Sequence, residues 1–86
     1  MMADPALVEE AILHCVAQAK SVNPETVARA IDAESWRKRL GDVRAAAVRL
    51  ALAGRIEITR HGKPVDPENF KGVWRLRSAG TAPPHD

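Results

Sequence analysis

Asp42-Val43-Arg44-Ala45-Ala46-Ala47-Val48-Arg49-Leu50-Ala51-Leu52-Ala53-Gly54-Arg55-Ile56-Glu57-Ile58-Thr59-Arg60 is the stretch that decides the fold. Up to Ala53 its apolar residues recur at helical spacing, with Val43, Ala46, Ala47 and Leu50 on one face and Arg44, Val48 and Arg49 toward the other. Asp42 is a suitable cap for the start, and Gly54 stands where a left-handed residue ends a helix. Beyond Gly54 the period drops to two, since Ile56 and Ile58 alternate with Glu57 and Thr59. The segment therefore predicts a helix over 43–53 running into a half-buried strand over about 55–60.

Working toward the N-terminus, Asp32 to Leu40 is irregular. It holds Trp36, the cation run Arg37-Lys38-Arg39 and a possible cap at Asp32 or Ser35, and Gly41 interrupts it. Before it, Asn23-Pro24-Glu25 starts a short helix with Val27 and Ile31 one turn apart, after an extended Ser21-Val22 connector. Asp4-Pro5 starts the first helix in the same way. Val8, Ala11, Ile12, Cys15, Val16 and Ala19 make its apolar stripe, and Leu13 falls off that stripe. Toward the C-terminus, Trp74 and Leu76 alternate with Val73, Arg75 and Arg77 as a second strand, joined to the first by a loop over 61–72 in which Phe70 folds back. Residues 78–86 have neither bulk nor period and read as a disordered tail, leaving a domain over 4–77.

The order is mainly α with a small β-hairpin: three helices plus a two-stranded antiparallel wing, a winged helix-turn-helix. A lone hairpin is marginal in water, so its apolar face is expected on the helices. Up to nine residues, 33–41, separate the second and third helices, against three or four in a simple helix-turn-helix. Either Ser35–Leu40 is an extra helical turn, or the third helix begins early and kinks at Gly41.

Composition narrows the function classes. The chain has 86 residues, 45% of them hydrophobic, and 15 of those are alanine, which suits one small core between closely packed helices. That length makes one domain and leaves no room for a cleft between two lobes. The formal net charge is +2, yet residues 1–35 hold two basic and six acidic groups, net −4, and residues 36–77 hold eleven basic and four acidic, net +7. Such asymmetry points to a basic face meeting phosphates or acidic protein. Met1–Pro5 lacks the basic start of a secretory signal, no run is long enough for a membrane span, and one cysteine makes no internal disulfide. The expectation is a cytoplasmic protein with a buried, reduced Cys15 and no membrane partner.

Several blocks resemble a known family. Asn23-Pro24-Glu25-Thr26-Val27-Ala28-Arg29-Ala30, Trp36-Arg37, Val43-Arg44-Ala45-Ala46-Ala47, Leu50 through Ile58, and above all Gly62-Lys63-Pro64-Val65-Asp66-Pro67 are similar to successive pieces of a small bacterial family catalogued as domain of unknown function 3253. The resemblance spans roughly residues 7–77. Where members often carry Cys-Pro-Ser-Glu this chain has Asn23-Pro24-Glu25-Thr26, and where they often carry Met-Pro it has Leu40-Gly41. The resemblance implies a winged-helix fold and brings no activity with it.

The residues themselves argue against catalysis and metal binding. His14 and Cys15 are helical neighbours pointing about 100° apart and cannot easily share an ion. Cys15 on an apolar stripe lacks the exposure and base that a thiolate needs. Scattered glycines form no phosphate loop, and the three aromatics, Trp36, Phe70 and Trp74, have packing roles available to them. No enzyme activity, cofactor or metal is expected. What remains is duplex recognition, with Arg37, Lys38, Arg39, Arg44 and Arg49 around the third helix and Arg60, His61, Lys63 and Lys71 in the loop. The helix offers only Arg44 and Arg49 to bases, so selectivity would be weak and contact mostly with phosphates of double-stranded DNA. The alternative is a protein-interaction or dimerisation module that sets Val48, Leu52, Leu13 or Trp36 against a protein partner or a second copy.

Overall fold

The first two helices each start where a side chain accepts from a free first-turn amide. The computed structural model describes residues 4–79. Helix α1 covers Pro5–Gln18, and Asp4 accepts a hydrogen bond from the Ala6 amide at 2.9 Å. Helix α2 covers Pro24–Ile31, and the Asn23 side-chain oxygen accepts from the Thr26 amide at 2.8 Å. Between them Val22 forms a β-bridge with Leu76, its amide and carbonyl both bonded across at 2.8 Å.

Helix α3 runs unbroken over Trp36–Leu52, so it begins early and Gly41 lies inside it. Asp42 is consequently an interior residue and not a cap. The reason is a buried stripe that crosses the glycine: Trp36, Leu40, Val43, Ala47 and Leu50 follow one another at four- and three-residue steps, and all pack in or against the core. Glycine in a helix costs roughly 1 kcal/mol relative to alanine, less than burying that stripe returns. The link from α2 shrinks to residues 32–35, the length of a simple helix-turn-helix. Asp32 shapes it by accepting from the Ser35 amide at 3.0 Å.

Gly54, at φ +77°, ends α3 in the left-handed conformation its position predicts. Strand β1, Ile56–Arg60, then pairs antiparallel with β3, Arg75–Ser78, in the register Ile56↔Ser78 to Thr59↔Arg75. The sheet has three strands instead of the expected two, in the order β2-β1-β3, because Lys63–Pro64 returns along β1 as strand β2. His61 and Gly62 both take positive φ, 53° and 80°, which is the geometry of a two-residue hairpin turn matched to strand twist. Pro64 sits on the sheet edge, where a missing amide donor is tolerated. The sheet also continues through Ser78, and the Ala79 amide reaches the Arg55 carbonyl at 3.4 Å, so the domain passes the boundary expected at 77. The rest of the expected tail, 80–86, lies outside the described residues.

Three helices with this small sheet have the layout of a winged helix. One core joins Val8, Ile12 and Val16 of α1, Val27 and Ala28 of α2, the α3 stripe, and Ile56, Ile58 and Leu76 of the sheet. Phe70 folds back as expected and meets Trp74 edge to face, ring centroids 5.3 Å apart. Cys15 is half-buried and not fully inside, and Leu13 is partly covered by the core. Both flank the Val8–Ile12–Val16 line that α1 turns inward.

Candidate nucleic-acid interface

Helical geometry divides the α3 cations. At about 100° per residue, Arg37, Gly41, Arg44, Ala45, Val48 and Leu52 fall on one solvent-facing sector, Lys38 and Arg49 flank it, and Arg39 points back toward α2. Arg39 is accordingly the most covered of them, 16% exposed, with Asp32 at 3.5 Å and Asp42 at 3.4 Å. Arg49 donates to Glu9 of α1 at 2.7 Å. These two guanidiniums close seams between helices.

Arg44 leads elsewhere. Its guanidinium lies 4.0 Å from the Phe70 ring centroid, and its Nη2 donates to the Phe70 carbonyl at 2.8 Å. The exposed face of α3 is thereby fastened to the loop that carries Lys71. Arg60 lies over the same loop, donating to the Val73 carbonyl at 3.3 Å, and a Cβ at Gly72 would stand 3.0 Å from its guanidinium. Glycine at φ +79° leaves room for that crossing. His61 and Lys63 are exposed at and beside the hairpin turn, and Val73 next to Lys71 is 83% exposed.

Sequence reasoning missed two features. Arg29, in the last turn of α2, has its guanidinium carbon 4.6 Å from the Trp36 ring centroid, and Arg37 has its own at 4.5 Å. No spacing rule links residues 29 and 36 when a turn of unknown length separates them. Arg75 donates to Ser21 at 2.8 Å, binding the α1–α2 connector to β3. The Arg77–Glu57 pair, 2.6 Å, by contrast follows directly from the strand register.

Among the described residues no carboxylate lies within ion-pair distance of Arg37, Lys38, Lys63 or Lys71. No group of three His, Cys, Asp or Glu side chains among them is placed to hold a metal. Burial pushes the Cys15 thiol up, favouring its protonated form. Among the described residues no helix is long and apolar enough to cross a membrane.

No curated protein matches the chain significantly. The family described as protein of unknown function DUF3253 matches it over residues 5–79, and the chain belongs to that family.

Proposed function

We propose that this domain binds double-stranded DNA, mostly through phosphates and with weak sequence selectivity. The observation that carries the reading is the Arg44–Phe70 contact, because it fastens the open face of α3 to the loop that carries Lys71. Arg37, Lys38 and Arg44 then line the helix side, and Arg60, His61, Lys63 and Lys71 the wing side. Arg39 and Arg49 are assigned to helix packing and not to phosphate contact. The centre of the helix face is Gly41, Ala45, Val48 and Leu52, which offer bases no hydrogen bonds. Counterion release would supply most of the affinity. A reduced Cys15 fits a cytoplasmic setting for such a protein.

Titration of a labelled random duplex at low salt tests this by fluorescence anisotropy. The expected affinity falls as salt rises, with a log–log slope of about 0.9 per phosphate neutralised. No anisotropy change at submillimolar protein and low salt would end the proposal.

A second reading has one specific observation behind it: Leu52 is 58% exposed on the same sector as the partly exposed Val48. On this reading α3 meets a protein partner or a second copy. Trp36 and Leu13 contribute less, since the core already covers part of each. Sedimentation showing a dimer that Leu52→Asp dissociates would favour it, and a monomer at every concentration would remove the homodimer.

A further inference from the structure

The corner between α2 and α3 gathers two cations on one aromatic ring. Two guanidiniums, one from each helix, stand at 4.6 and 4.5 Å from the centroid of a single indole, that of Trp36. They are therefore no further apart than the sum of those distances, a span on the order of neighbouring phosphates. Trp36 is itself partly buried against the core, so the platform is anchored. Like charges gathered on one ring repel, and an anion bound beside them relieves that repulsion.

Neither guanidinium is used up. Arg29 spends its Nε on Glu25 at 2.7 Å, but both side chains are about half exposed, where such a pair is weak and yields to a better acceptor. Arg37 is exposed, with no ion pair among the described residues. Lys38 is the next residue and is also exposed. The opposing charges at this corner are Glu25 and the exposed Glu34; Asp32 is engaged by Arg39.

We infer that Arg29 and Arg37, held by the Trp36 ring, form a phosphate clamp that takes phosphodiester groups of the duplex backbone at the α2–α3 corner. This rests on the duplex-binding reading above and adds α2 to the surface. Trp36 is a positioning residue: the ring restricts two long side chains before binding, so less freedom is lost when the phosphates arrive.

The test compares salt dependence of duplex affinity for the wild-type chain and surface variants. Arg29→Gln and Arg37→Gln should each lower the log–log slope by about 0.9, while Lys20→Gln at the end of α1 leaves it unchanged. Glu25→Gln should raise affinity by freeing Arg29, whereas a purely structural pair would make that variant neutral or harmful. Trp36→Phe keeps a ring and should keep the wild-type slope. Unchanged slopes in Arg29→Gln and Arg37→Gln, with wild-type duplex binding intact, would overturn the clamp and spare the functional reading. If the wild-type chain binds no duplex, inorganic pyrophosphate becomes the probe, followed by the nitrogen–proton resonances of Trp36, Arg29 and Arg37. Shifts confined to those groups uphold a phosphate clamp serving another ligand; no shift removes it together with the duplex proposal.

Discussion

Arg44 and Arg49 are five residues apart in one helix, and the tertiary structure gives them different work. Arg49 faces α1 and pairs with Glu9, so its charge is answered within the molecule. Arg44 faces the wing, where it finds a carbonyl and an aromatic ring but no carboxylate among the described residues, so its positive charge is retained at the surface. The α2–α3 corner is divided in the same way, since Arg39 is answered by Asp32 and Asp42 while Arg37 meets no carboxylate among the described residues. A count of basic residues along the chain cannot distinguish the two regions, because the distinction lies in which carboxylates the packing brings near.

Charge reversal at the open end should break the comparison most severely. Arg37→Glu with Lys38→Glu is expected to weaken duplex binding at low salt by on the order of 100-fold, without lowering the thermal midpoint, as measured by anisotropy and circular dichroism. The next largest effect is expected at the wing. Arg44→Ala removes a charged hydrogen bond and a stacked cation, so urea unfolding should show a loss of about 1–2 kcal/mol, and amide exchange over residues 66–73 should accelerate. Wild-type exchange rates there would mean that Arg44 does not hold the loop.

The α1–α3 seam should respond in the opposite sense. Arg49→Ala is expected to cost at most about 1 kcal/mol of stability, since the pair is half exposed, and to leave the salt slope of duplex binding unchanged. A lower slope would move Arg49 into the interface.

The smallest effect is pH-dependent. The Ser35 amide first, helped by the Glu34 amide and Arg39 against some desolvation, holds the Asp32 carboxyl below its ordinary value of 3.8. A carboxyl lowered in the folded state adds stability that is present at neutral pH and fades as pH falls through 3.8 toward the folded value. Asp32→Asn should therefore narrow the stability gap between pH 7 and pH 3, read from urea midpoints. An equal gap in both proteins would show that the turn does not depend on the ionised carboxylate.

Local signals located most of the fold. The caps at Asp4 and Asn23, the left-handed Gly54 and the alternation of Ile56 and Ile58 each act within a few residues, so each could be read directly. Gly41 misled for the same reason: glycine is a local stop signal, and the Trp36-to-Leu50 stripe that overrides it gains its energy from tertiary contact with α1, α2 and β1. The His61-Gly62 turn was overlooked among several loop residues, although two adjacent left-handed positions are a hairpin signal. Of the candidate interface, the cations were visible but their partners were not. Glu9 lies 40 residues from Arg49, and Phe70 lies 26 from Arg44.

Sequence alone determined that three helices precede a small sheet, that charge divides between the two ends of the chain, and where most of the core lies. These follow from periodicity and capping, which depend on near neighbours. Only the folded arrangement decided which guanidiniums are neutralised by carboxylates, which is fastened to the wing, and that two of them share the Trp36 ring. Such contacts join side chains distant along the chain, and Coulomb attraction, stacking and hydrogen bonding act through distances in space that no spacing along the sequence encodes.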